Sequence, residues 1–568
     1  MTLRERSDAK TMIRTTKKLK AWTGILLLAA TLMLAAPPAD ALYTVYSGQT
    51  LNITDDWSVD YWMENYGTVN TYDTYSVFIN ELKAALGIYP NVYNFENWYN
   101  YGSMSFYANP DSIYKFCNGV PTASLHNYGY FHNLILATVD IRGESYLRNY
   151  EGGTLWNDGT LWNDGTLKNW GTLNNSGTLY NAGTLDNEYF GILNNRSGTL
   201  YNERTLDNSG TLNNYDTLDN YDTLYNSGTL YNEDYGILNN YSGRLYNDGT
   251  LWNFNAGTLN NFARLYNYLY HTLNNAGLLN NAGLLDNAGL LNNAGLLNNT
   301  NTLNNAGTLY NAGLLNNCAT PDNYYTTLNN AGLLNNDGLL NNSAMLNNAG
   351  TLDNTGTLNN DDLLNNDGLL NNAGTLDNAG WITGAGTYNQ TGGQTLNDGT
   401  MIQSLINIEG GTLSGTGIIT GDVTIGSAAS VMPGNSLGTL TVDGSFTSSG
   451  TLIFEIAGLA AGLFDVLDIN GSATFEDGLI AFDFIDGFSG TAGDSWDFLF
   501  ADVITGWDTL SFEIDGLNSG LTWGILDIER GKSLVLAEAQ GVPEPSTVVF
   551  LILCIPVIVI AQRKLRAV

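Results

Sequence analysis

Charge, histidine and cysteine are all scarce in this chain. Of its 568 residues only 13% are Asp, Glu, Lys or Arg, three are His and three are Cys. Cys117, Cys318 and Cys554 lie too far apart to form a disulfide framework, and nothing in the sequence supports a Cys117–Cys318 bridge. His126 and His132 sit six apart in a Tyr-rich stretch and His271 stands alone, so all three read as structural or solvent-facing rather than as metal ligands. No Ser/His/Asp set, phosphate-binding Gly-Lys loop, HExxH or CxxC is present. Cations are the rarest charges. With 21 Lys and Arg against 55 Asp and Glu, the net charge of −34 disfavours nucleic acid and anionic lipid as partners.

The chain is instead rich in Gly, Asn, Leu and Tyr, in a fixed order. From Gly153 the sequence runs GTLWND GTLWND GTLKNW GTLNNS GTLYNA, and Leu155, Leu161, Leu167, Leu173, Leu179 and Leu185 fall six apart. The beat returns as Leu273 to Leu315 and again as Leu328 to Leu376. A short fixed period marks a solenoid, in which each unit buries its apolar side against its neighbours. The expected fold is therefore all-β, a parallel β-helix (β-solenoid) of hexapeptide repeats over residues 153–382.

Six is even, and strand side chains alternate, so every rung keeps the same faces. With Leu inward, the Asn two later and the Gly two earlier share its side, while Thr and the residue after Leu point outward. Buried Asn amides would stack rung upon rung. Gly would supply a positive φ at each corner. Three hexads per coil would give roughly 12 coils in a rod about 55–60 Å long. The segment NEYFGILNNRSGTLYN from Asn187 reappears as NEDYGILNNYSGRLYN from Asn232, a higher-order duplication. CATPDNYYT, from Cys318, reads as an inserted loop.

Residues 42–152 carry a looser Asn-Tyr-Gly motif and read as degenerate rungs capping the open end, with one short helix expected over Val77–Leu86. Residues 383–540 lose the hexad but keep alternating strands, expected to cap the other end as a mixed β region. Within it, Pro433-Gly434-Asn435-Ser436, then GTLTVDG, GTLIFEI and FDVLDINGSATFEDG, resemble the segment near the end of autotransporter passengers. No outer-membrane barrel follows, so the resemblance does not imply self-translocation.

Both ends read as addresses. Residues 1–41 have a basic head, an apolar run from Ala21 to Ala36 and an Ala39-Asp40-Ala41 exit, the pattern of a secretory signal. Residues 541–568 hold Pro543, Glu544 and Pro545, an apolar run from Val548 to Ala561 expected as a terminal hydrophobic helix, and a basic end with Arg563, Lys564 and Arg566. That order resembles the PEP-CTERM sorting signal. The resemblance implies an exosortase-type sorting enzyme as partner, a helix in the inner membrane before processing, and delivery to the cell surface, with export linked to exopolysaccharide or biofilm matrix.

Two outward features bear on function. In the first half the slot after Leu carries Trp156, Trp162, Tyr180, Tyr201, Tyr225, Tyr231, Tyr246 and Trp252. Of these, Trp156, Trp162, Tyr180 and Trp252 are candidates for stacking on sugar rings. In the second half Leu278, Leu284, Leu290, Leu296, Leu314, Leu333 and Leu339 replace Thr, which gives an apolar stripe suited to lateral self-association if they point outward and core if the parity is reversed. Asp158, Asp164, Asp337 and Asp367 precede Gly and read as turn residues, with stacked Asp rows the alternative, suited to weak calcium binding. A polysaccharide lyase or hydrolase would need acids and cations on one face, whereas Lys168, Arg196, Arg204, Arg244 and Arg264 look few and scattered. The expectation is a non-enzymatic, adhesin-like structural protein of the extracellular polysaccharide matrix, without cofactor or metal. A polysaccharide-acting enzyme and an ice-binding solenoid are the alternatives.

Overall fold

Each hexad folds as a four-residue strand followed by a two-residue corner. Thr154–Asn157, Thr160–Asn163 and Thr166–Asn169 are successive examples. A computed structural model describes residues 124–539, apart from residue 144 and residues 322–324, together with short segments between residues 31 and 106. Each strand pairs in parallel with the strand three further on. Thr154 faces Thr172, Thr160 faces Thr178, and Thr166 faces Thr184. Three hexads therefore make one coil, and the chain winds a three-faced solenoid of about 17 turns. Face 1 contains Thr154–Asn157, face 2 contains Thr160–Asn163 and face 3 contains Thr166–Asn169.

The alternation of side chains is as the sequence predicts. The Leu of every hexad is fully buried, from Leu155 to Leu376, and so is the Asn two positions on. Stacked in register, the Leu side chains form three continuous columns, each residue contributing about 2 kcal/mol of apolar burial. The Asn columns satisfy themselves. Asn157 Nδ2 donates to Asn175 Oδ1 at 2.7 Å and to the Thr178 carbonyl at 3.0 Å, while its own Oδ1 accepts from Asn133 Nδ2 at 2.7 Å. Among the described residues one Asn of the array lacks a partner, at the head of its column. Asn163 Oδ1 has no partner, because the preceding coil places Ile141 opposite Asn163.

Glycine acts differently from the expectation. None of the glycines Gly159–Gly380 in the array has a positive φ. Each is needed because the coil before it passes too close. A Cβ on Gly177 would lie 2.0 Å from the Gly159 carbonyl oxygen, and one on Gly313 would lie 2.1 Å from that of Gly295. Where a side chain takes the place of Gly, the bond from the next N–H to the preceding coil varies, from 2.7 Å for Thr327 N to the Asn301 carbonyl to 3.4 Å for Arg264 N to that of Gly243.

Towards the C-terminus the strands lengthen. Thr400–Gly415 and Ile418–Pro433 pair in parallel, with register shifts that mark the corners. Aromatic residues replace Leu in the core, where Phe498 packs edge to face against Phe454 and Phe482, which stack on each other. Gly531–Glu538 then pairs antiparallel with both Ser495–Thr505 and Leu521–Ile528, covering the last rung. Asp465 ties this region together, accepting from Gly438 N at 3.0 Å and Glu455 N at 2.9 Å. Its burial pushes its carboxyl up to about 7, although those two backbone bonds pull the other way.

Of the helix expected over Val77–Leu86, Val77 ends the strand Thr74–Val77 and the rest lies outside the described residues. Residues 541–568, with the terminal helix and Pro543, Glu544 and Pro545, also lie outside them, as do Cys117 and Cys554. Of residues 1–41 the structure describes only Thr31–Met33, which pair with Thr50–Asn52. Among the described residues no helix is long and apolar enough to cross a membrane.

Candidate functional surface

The outward slot after Leu, read down the sequence, visits the three faces in turn, so its aromatic residues divide into separate ladders. On face 2, Trp162, Tyr180 and Tyr201 stack with centroids 3.9 and 4.7 Å apart and rings within 12° of parallel. On face 3, Tyr225, Tyr246 and Tyr266 stack at 4.8 and 5.2 Å. Trp252, on face 1, packs beside Phe254. Trp156, also on face 1, stands apart, its Nε1 donating to Asp158 and Arg196 lying over its ring. The four sugar-stacking candidates thus lie on two faces. Within the face 2 ladder the ring faces cover one another, leaving edges to solvent.

The Leu stripe is also divided. Leu278, Leu296, Leu314 and Leu339 stack on face 2. Leu290 and Leu333 alternate with Thr308 on face 1, and Leu284 lies on face 3 between Arg264 and Thr302. All seven point outward and are half-buried. Beside the face 2 Leu column runs an external amide ladder. Asn260, Asn280, Asn298, Asn316, Asn341 and Asn359 each donate to the residue one coil earlier, starting from Asn239, at 2.8–3.0 Å. This ladder runs opposite to the buried one, whose donors point forward along the chain.

The Asp residues before Gly do not form rows. Asp158 lies over Ser176, Asp337 accepts from Thr355 Oγ1, and Asp367 accepts from Ala385 N. His126 and His132 lie on different faces. Burial, with Arg148 adding to it, lowers His126 to about 4, and His132 Nε2 meets Asp158 at 2.7 Å. Among the described residues no group of three or more His, Cys, Asp or Glu is arranged to hold a metal.

The feature that the sequence hid is the corner between faces 2 and 3. The other two corners hold Gly in almost every coil. This one holds Arg204, Asp222, Gly243, Ala263, Gly283, Asn301, Thr326, Ala344 and Asp362 in successive coils, linked by their carbonyls to the next strand. Just before them Tyr221, Tyr241 and Phe262 form a third ladder, at 5.1 and 5.5 Å with Phe262 only 4° from parallel. The next coil has Ala282 in that place, so the ladder ends with Phe262 and its far face is uncovered. The inserted loop after Cys318 leaves from the same corner three coils on.

Two open hollows flank Phe262. One, of about 400 Å³, lies over the amide ladder of Asn260, Asn280, Asn298 and Asn316 and is closed by Thr300 and Cys318. The other, of about 560 Å³, is lined by Ser242, Arg244, Arg264, Leu284 and Asn301. Arg244 and Arg264 look scattered in sequence, but are neighbours in register on face 3. An 18-residue alignment of the array, rather than a six-residue one, would have brought Arg244, Arg264 and the Tyr221–Tyr241–Phe262 column into view. In comparison with known proteins, the chain matches no family model and no curated protein.

Proposed function

We propose that the chain is an exported structural β-solenoid, adhesin-like and non-catalytic, that works at the cell surface or in the extracellular polysaccharide matrix. The observation that carries this reading is the order of the outward surface. Aromatic rings and amides form ladders several coils long, held in place by their own stacking and hydrogen bonds. Such a surface is preorganised for a long, hydroxyl-rich polymer, because little side-chain freedom remains to be lost on contact. Trp156, Trp162, Tyr180 and Trp252 are its proposed sugar contacts. The basic-apolar head and the Pro543-Glu544-Pro545 tail support export, a transient inner-membrane helix and processing by an exosortase-type enzyme. The Leu278–Leu296–Leu314–Leu339 column would support side-by-side association of copies.

The test is retention of the full-length protein on immobilised polysaccharides, with sedimentation velocity run alongside. Replacing Trp162 and Trp252 with Ala should lower retention at least several-fold while leaving the β-sheet circular dichroism unchanged. Absence of retention on every polysaccharide tried, neutral and acidic, would overturn the matrix reading. Release of new reducing ends during the incubation would favour the polysaccharide-acting alternative instead.

A further inference from the structure

We propose that Arg244, Arg264 and Phe262 form a binding site for a carboxylated sugar, a uronic acid residue within an acidic polysaccharide. The inference names a ligand class for the matrix reading and rests on it for the ligand being a polysaccharide.

The two arginines are the first observation. Arg264 lies directly over Arg244 one coil on, both exposed, with no carboxylate within ion-pair distance of either among the described residues. Like charges directly opposite in adjacent strands destabilise a sheet. This chain has acidic residues to spare, yet Asp286, in the coil after Arg264, is engaged by Asn304 Nδ2 at 2.6 Å, and Asp222, beside Arg244 in the coil before, accepts from Thr223 Oγ1 at 3.0 Å. An anion held by both side chains would offset their paired positive charge, and their planar donors suit a carboxylate.

The second observation is the ring beside them. Phe262 is 48% exposed and shares a wall with the Arg hollow. Its Tyr241-facing side is covered by stacking, and its other side opens over Ala282. A sugar ring offers C–H bonds to such a face, and a uronate carries its carboxylate at the edge of the same ring. On the other flank the row of Asn amides offers donors and acceptors to the hydroxyls of a neighbouring sugar. One acidic oligosaccharide lying over the corner would use all three. An acidic peptide would use only the arginines.

The net charge of −34 sharpens the selectivity. At physiological salt the repulsion is screened beyond about 8 Å, so a polyanion gains only where local contacts outweigh the general field. Binding should therefore need the ring as well as the cations.

The experiment measures binding of the full-length protein to an oligouronate, to the same oligosaccharide methyl-esterified, to polyglutamate and to inorganic sulfate. Expected for the wild type is oligouronate binding at least tenfold tighter than to the ester, with no comparable binding of polyglutamate or sulfate. Arg264→Gln and Phe262→Ala should each lower oligouronate binding about tenfold or more, Arg264→Lys should restore part of it, and Lys168→Gln, at a cation already paired with Asp186 and Glu188, should leave it unchanged. Thermal melts confirm that each variant is folded. Equal binding of polyglutamate, or loss in Arg264→Gln without loss in Phe262→Ala, would overturn the sugar assignment. Retention on neutral polysaccharides without preference for the uronate would overturn this site while leaving the matrix reading standing. Binding to no polysaccharide would overturn both.

Discussion

A buried amide is expensive alone and inexpensive in a column. Each interior Asn has its two N–H groups and its oxygen engaged by the coils on either side, so removing one leaves partners stranded in both directions. Asn226 accepts from Asn208 Nδ2 at 2.7 Å and donates to Asn247 Oδ1 at 2.8 Å and the Thr250 carbonyl at 3.0 Å. Asn226→Ala should destabilise the solenoid by about 2–4 kcal/mol, since orphaned buried polar groups lose their full desolvation energy and a cavity is added. Urea unfolding checks this, with the half-buried Asn298→Ala on the outer face as the control expected to cost under about 1 kcal/mol. The inward Leu and Asn positions were legible from parity alone. The role of Gly was not, because the hexad says that a side chain is missing but not whether φ or a neighbouring carbonyl excludes it. Gly177 and Gly313 answer for the carbonyl.

The coil is the scale at which the sequence misleads. Hexads succeed one another along the chain, but what touches Arg244 is Arg264, 20 residues away, and what stacks on Trp162 is Tyr180. Reading hexads in order therefore merged three faces into one aromatic half and one Leu half. At the C-terminal end the decisive element is the loop that carries Asp465. Its carboxyl is raised above the unfolded value, so the folded state holds the proton more tightly. The stability it favours is fully present below about pH 4 and is lost as pH rises through about 7. The in-register acids Glu455 and Asp483 are also raised, by burial first and then by repulsion, Glu455 from Asp483 and Asp483 from Asp515, and act in the same direction. Stability, followed by the melting temperature, should fall between about pH 4 and pH 7, with a slope from Asp465 of up to about 1.4 kcal/mol per pH unit. Asp465→Asn should flatten that profile, and an unchanged slope would exclude Asp465 as its source.

For the molecule as a whole, each coil contacts only its neighbours, so stability is a sum over adjacent coils. Removing Thr351–Gly368, one full coil, should leave a folded rod with a melting temperature within a few degrees of the parent. Removing Thr351–Thr357 instead shifts parity by one residue and turns Leu outward and Thr inward in the rungs beyond it. That variant should lose cooperative melting, which circular dichroism would show at once.

The duplicated segments show what else such changes do. Ile192–Asn195 lies on face 1 and pairs with Thr211–Asn214, whereas its copy Ile237–Asn240 lies on face 2 and pairs with Thr258–Asn261. The copying event moved the motif seven strands, two coils and a third, and so turned it to face another direction. Any gain or loss of one hexad would do the same to everything downstream without disturbing the core. The rod is a dial with three settings. Slippage during replication, which adds or drops single hexads, can re-aim one bank of side chains relative to another while every buried Leu and Asn stays where it was.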